Sequence, residues 1–349
     1  MIVRPAMAPG GDRWLLNHTQ YVPGQRRGHY ESFYQRANHP RRPLAFWIRY
    51  TIFAPDGDPS SAVGELWSVF FDGESGRHVV AKEVHPIGRC QFRRDSFSAR
   101  IATAHLGPNK LIGSAAAATD PATGTGDAIA WDLRFEAQDG PVLLLPPRLY
   151  SGGIPKAKSL VAAPNARYDG TLTVNSEEIA VDGWVGSQNH NWGSRHTDHY
   201  AFAQVAEFDG EPGSFLELAT AKSKIAGPVG TPFLTFLVLR LRGKEYDLTS
   251  LRHAVRASGR FGYFHWDFES GDDRVRVIGR ITAERDAFVG LRYRNPPGGT
   301  KHCLNTKIAS AELTVRDRRA GSMVTLRTAN RALFEILTDD RTHGVTMRA

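Results

Sequence analysis

Apolar and polar residues alternate at every second position through most of this chain, and that period belongs to strands with one face in a core. Ile129, Trp131, Leu133 and Phe135 alternate with Ala130, Asp132, Arg134 and Glu136. The run from Glu65 to Phe71 passes through the turn Asp72-Gly73-Glu74-Ser75-Gly76 into Arg77 to Lys82, a strand, a Gly-rich turn and a second strand. The same unit recurs from Tyr200 to Ala221 around Asp209–Gly213, and from Phe288 to Val315 around Pro296–Gly299. Helical period is scarce; Ala329 to Leu337 reads equally as a short helix or a strand. The pattern predicts an all-β protein of antiparallel sandwich or barrel type.

At 349 residues the chain is long enough for two medium cores. Pro146-Pro147, Gly152-Gly153, Pro155 and Pro164 interrupt the alternation, which places a division there. The expected organisation is an irregular lead-in over 1–43, a first barrel half over 44–150, a linker over 151–164 and a second barrel half over 165–349. Trp131-Asp132 and Trp266-Asp267, each inside an alternating strand, form a faint internal echo.

A net charge of +8 raises the question of nucleic acid, but the arginines are scattered and alternate with apolar residues, as in Arg274-Val275-Arg276-Val277. They read as the wet face of strands, so no nucleic-acid partner is expected; weak contact with anionic membrane surfaces stays open. No apolar run reaches the roughly 18 residues of a membrane helix. Arg4 and Pro5 stand where a secretory signal would be apolar, and Cys90 and Cys303 read as free thiols. The expectation is a soluble cytoplasmic chain, with its oligomeric state undetermined.

Signatures of phosphate binding, dinucleotide binding, a nucleophile elbow, thiolate zinc or a zincin helix are all missing from the sequence, so no cofactor and no metal are expected. The densest polar cluster runs from Gln188 to Tyr200 and reads as a short connection between strands. His190, His196, His199 and Asp198 could ligate a metal, but loop spacing imposes no ligand geometry. Two other readings are a ligand-handling segment at a barrel mouth, with His190 and Asn191 as donors, and a corner plugged by Trp192.

Gln188-Asn189-His190-Asn191-Trp192-Gly193, followed by Tyr200-Ala201-Phe202-Ala203-Gln204, resembles the motif region of tocopherol cyclase and carotenoid hydratase-like (AttH-type) proteins, a superfamily that includes lipocalin-like Diels–Alderases. The resemblance extends to Phe46–Tyr50, Gly64–Trp67, Trp131-Asp132-Leu133 and His302-Cys303-Leu304-Asn305. It implies two lipocalin-like barrel halves of calycin type and an apolar small-molecule ligand. In the named relatives it implies acid-initiated addition or cyclisation on prenyl-type alkenes, or pericyclic shaping of a polyene. Fold likeness alone does not choose among these reactions.

Protonating an alkene needs a carboxylic acid kept neutral by apolar surroundings. Glu217 shares a strand face with Phe215, Ala219 and Ala221, and Glu65 shares one with Trp67, Val69 and Phe71. With His190 they are the candidate catalytic residues; the bland alternative for each carboxylate is a surface ion pair. Asp132 falls on the wet face. Asn191, Trp192, Tyr200, Phe202, Gln204, Trp67, His302 and Asn305 are the candidate ligand contacts. His302 and Asn305 lie on opposite faces, so at most one meets a ligand. Two functions stay open: a cofactor-independent hydratase, cyclase or isomerase acting on an isoprenoid- or polyene-like molecule, or a non-catalytic lipid carrier. A weaker third is a structural accessory of a larger complex.

Overall fold

The alternating segments form strands, and the strands assemble into two large antiparallel sheets in the structure, a computed structural model that describes residues 4–5, 17–119, 126–137, 139–222, 224–226 and 229–349. The first sheet holds β1 (His29–Asn38), β2 (Leu44–Ala54), β3 (Val63–Asp72), β4 (Val79–Pro86), β5 (Ala128–Glu136), β6 (Ala157–Val174) and β7 (Glu177–Gly193). Their order is β4-β3-β2-β1-β7-β6-β5, extended past β5 by four short strands between Cys90 and Ala116. This sheet curls towards closure: Ala116 N donates to Glu83 Oε1 at 3.0 Å and Val80 N to Asp127 Oδ2 at 2.8 Å, tying β4 to the other end.

The second sheet holds β8 (His199–Phe208), β9 (Glu211–Lys222), β10 (Leu234–Leu241), β11 (Val289–Arg294), β12 (Thr300–Asp317) and β13 (Ser322–Thr338), in the order β10-β9-β8-β13-β12, with β11 also paired to β12. Three further strands between Ser258 and Thr282 continue past β12. The last of them, Ser258–Gly262, folds back over β9 and β10, and a Cβ on Gly259 would lie 2.0 Å from Thr220 Oγ1. Residues 329–337 are strand, and the one α-helix among the described residues is Leu251–Arg256. No described helix is long and apolar enough to cross a membrane.

Each sheet wraps its own core. Phe33, Phe46, Tyr50, Trp131, Phe135, Tyr168 and Trp184 fill the first, and Leu216, Leu237, Trp266, Phe268, Leu313 and Phe334 fill the second. The side chains at alternate positions face away from these cores, and here they are buried too. Tyr34, Trp47, Trp67 and Phe71 of the first sheet meet Leu291, Tyr293, Leu333 and Leu337 of the second. Val161 and Val185 likewise meet Ala206, Phe215 and Val238. The molecule is thus two lipocalin-like halves pressed together through their outer faces.

Sheet membership divides the chain differently from the sequence expectation. Residues 1–43 were expected to be an irregular lead-in, yet β1 lies there and is buried at every position. The expected linker over 151–164 contains the start of β6, and β6 and β7 belong to the first sheet, which runs to Gly193. The cause is β1's burial on both faces. The strand carries polar groups on both faces, Glu31 and Gln35 towards the first half's interior and Arg36 towards the second sheet, where a half-buried strand would show alternation.

Candidate functional site

The segment expected to be a short connection, Gln188 to Gly193, is the end of β7, paired on one side with β1 and on the other with β6. Strand geometry then sorts its side chains. Gln188, His190 and Trp192 turn into the first half, whereas Ser187, Asn189 and Asn191 turn towards the second sheet. A Cβ on Gly186 would meet the Arg36 carbonyl oxygen at 1.8 Å, so only glycine lets β7 run this close to β1.

On the inner side, His190 is clamped between Phe33 and Trp192, with ring centroids 4.2 Å and 4.4 Å away. Its Nε2 lies 2.8 Å from Glu31 Oε1, and His29 Nε2 lies 3.0 Å from Glu31 Oε2. The same carboxylate accepts the Gln20 and Tyr21 backbone amides at 2.8 Å each, anchoring residues 20–21. Burial pushes the Glu31 pKa up, but the hydrogen bonds from His190 and His29 outweigh it and hold the group at about 2. His196 stacks on Tyr30 at 3.9 Å, and His199 packs edge-on against Phe261 at 5.0 Å. The three histidines weighed as metal ligands therefore go to three different places.

Between the halves lies a layer of buried polar groups. Gln204 on β8 is its hub: Oε1 accepts from Ser187 Oγ at 2.9 Å and Arg36 Nε at 3.4 Å, and Nε2 donates to Asn189 Oδ1 at 2.6 Å. Directly across the ladder from Gln204 stands Glu217 on β9, 0% exposed, with neither carboxyl oxygen hydrogen-bonded among the described residues. Burial drives the Glu217 pKa well above the usual carboxylate range; the nearby Gln204 amide and the Arg36 charge pull weakly the other way. Gln204's Nε2 is aligned on Asn189, which is why its closeness to Glu217 does not amount to a formed bond. Glu217, the carboxyl that the sequence pattern singled out, is buried with a raised pKa and faces the layer between the halves, not a barrel interior.

Further along the layer, Lys307 bonds Glu335 Oε1 at 3.0 Å, and Asn305 Nδ2 bonds the same oxygen at 2.6 Å. Arg49 donates to Ser32 Oγ at 2.8 Å and 2.6 Å and lies 4.5 Å over the Tyr293 ring. Glu65 accepts from Arg294 at 2.8 Å and sits 3.5 Å from Lys82, whose ammonium lies over Trp67 at 3.8 Å. Among the described residues Glu65 is thus paired with two cations and Glu217 with none, so the geometry sets the two carboxylates apart although both occupy the layer.

The layer therefore brings together Glu217, Gln204, Tyr200, Phe202, Asn305, Trp67, Glu65 and Asn191, with Tyr200 and Phe202 packed against its apolar cluster. It does not include His190 and Trp192, which lie across the sheet, or His302, whose Nδ1 meets His343 Nε2 at 2.9 Å. Sequence reasoning missed Arg36, Arg49, Lys307 and Glu335. A cleft of about 1140 Å³ opens at one end of both halves, where Leu44, Phe70 and Trp184 of the first core, Phe288 and Val345 of the second and Val289 of the layer come to the surface. Its rim is charged, carrying Arg42, Arg77, Arg285, Asp72, Asp127 and Asp286.

Two curled sheets joined back to back through a polar layer define a double-lipocalin β-protein, a fold this chain shares with solved structures of AttH-like, hydratase and CghA proteins. The AttH-like protein NE1406 of Nitrosomonas europaea superposes with a TM-score of 0.53 at 11% identity, over 91% of this chain and 98% of that one. Kievitone hydratase from Nectria haematococca superposes with a TM-score of 0.56 at 10% identity, over 89% of each chain. CghA bound to Sch210972 gives 0.51 at 12% identity, over 96% of this chain and 94% of that one. In sequence, the chain is 26% identical over 196 residues to two Mycobacterium tuberculosis proteins, uncharacterized protein Rv0493c of strain H37Rv and uncharacterized protein MT0513 of strain CDC 1551. The match spans 56% of this chain and 58% of each relative, less than two thirds of their length. No family model matches.

Proposed function

We propose that this protein is an enzyme that binds a hydrophobic small molecule in the layer between its halves and transfers a proton to it from Glu217, without a cofactor. The carrying observation is the fully buried Glu217 carboxyl with both oxygens unpartnered, since a carboxyl kept protonated near neutral pH is a general acid ready for use. The reaction class is hydration, cyclisation or isomerisation of an alkene: the proton leaves Glu217 for a substrate carbon and returns from the adding water, or from a second carbon of the substrate. Gln204 faces the carboxyl from across the ladder, and Phe202, Tyr200 and Trp67 supply apolar walls. The kievitone hydratase and CghA likenesses support a hydratase- or cyclase-type reading through shared fold.

The alternative is a carrier that holds the same molecule unchanged. Small molecules extracted from the purified protein, identified by mass spectrometry, supply the substrate panel that separates the two. Turnover of such a compound by the wild type, lost in Glu217→Gln with binding retained, supports the enzyme. Full turnover in Glu217→Gln removes Glu217 from the role, and binding without turnover leaves the carrier.

A further inference from the structure

Arg36 is the unexplained charge of the layer. It is 0% exposed, its Nη1 donates to Asn38 Oδ1 at 2.9 Å and its Nε to Gln204 Oε1 at 3.4 Å, while its Nη2 has no acceptor among the described residues. Among the described residues no carboxylate lies within 4.0 Å of it, although Lys307, Arg294 and Lys82 in the same layer each have one. Burial lowers its pKa only to about 10, so it is charged at neutral pH. A buried, unmatched guanidinium costs several kcal/mol and is retained where something completes its coordination. Gln204 touches Arg36 and stands opposite Glu217, so the unpartnered nitrogen and the unpartnered carboxyl flank one amide.

We propose that the ligand of this layer carries an ionised oxygen head, a carboxylate or a conjugated enolate, that docks on Arg36 Nη2 and accepts a hydrogen bond from the Glu217 carboxyl. The inference rests on the reading of the layer as the binding site and narrows its occupant from an apolar hydrocarbon to an acidic amphiphile. Protonating a plain alkene from Glu217 would place a carbocation beside the buried Arg36 and Arg49, with the carboxylate left on Glu217 as its counter-charge. In a conjugated enolate, the π electrons form the new C–H bond as the Glu217 O–H bond breaks. The ligand becomes neutral, and the Glu217 carboxylate takes its proton back from a water that leaves as hydroxide to bulk solvent.

The test compares all-trans-retinoate with all-trans-retinol, which share a hydrocarbon body and differ in the head, by quenching of tryptophan emission. The wild type is expected to hold retinoate at least about tenfold tighter, the weight of one charge-assisted hydrogen bond. In Arg36→Met the ratio falls to about one, and in Arg36→Lys part of it survives; a thermal melt confirms that both variants fold, as removal of an uncompensated buried charge favours. Equal binding of both retinoids to the wild type, or an unchanged preference in Arg36→Met, overturns this inference and leaves the apolar site standing. Binding of neither overturns it together with the reading of the site.

Discussion

Exchanging Glu217 for glutamine removes the ionisable proton and keeps the shape, so its effect on stability isolates how the layer treats that proton. In the unfolded chain the carboxyl titrates near its ordinary 4.5, whereas in the folded protein burial has raised it well above that. Between the two values the folded state keeps a proton that the unfolded chain has released. The stability this group contributes is full below pH 4.5 and declines as pH rises towards the folded value, by about 1.4 kcal/mol per pH unit. At 0% exposure there is no solvent screening to discount. As pH rises from 5.5 the wild type is therefore expected to lose stability that Glu217→Gln does not lose. Urea titrations of both proteins at three pH values from there upwards, extrapolated to water, give the difference directly. Parallel stability–pH curves would refute the reasoning, because they would mean that Glu217 ionises as easily folded as unfolded.

Three further outcomes follow from the geometry. Glu31 is held at about 2 against an ordinary 4.5, so its stabilisation is present above pH 4.5 and is lost as pH falls towards 2; acid unfolding followed by circular dichroism should show about 3 kcal/mol of that limb missing in Glu31→Gln. His190→Ala leaves the Glu31 carboxylate buried without one of its donors and should cost about 3 kcal/mol in a urea melt, with turnover per folded molecule unchanged because His190 lies across the sheet from Glu217. Gly186→Ala drives a methyl group into the Arg36 carbonyl and should lower stability by about 3 kcal/mol, whereas Gly57→Ala, in open space, should cost less, chiefly through its positive φ.

The strand class and the double-barrel architecture were legible in the sequence because β5 and β9 present one wet or small-residue face and one apolar face, the pattern that period two reports. Glu217 was legible for the same reason, a carboxyl breaking a run of Phe215, Ala219 and Ala221. Its setting was not. Local alternation says that two faces differ without saying which meets a barrel interior and which meets a second sheet. β1 and the end of β7 failed for the opposite reason: both faces are buried and both carry polar residues, so no alternation marks them as strands. Arg36 and Gln204 stand 168 residues apart, and nothing local couples them.

The shared wall formed by β1 and β7 makes sequence parity a functional coordinate. Even-numbered positions of β1, such as Tyr34 and Arg36, look onto the central layer, while its odd-numbered positions, such as Phe33 and Gln35, look into a separate interior. A gene library that randomises one parity class can retune the guest molecule while leaving the supporting barrel untouched. A one-residue insertion would exchange the two sets and ruin both compartments at once.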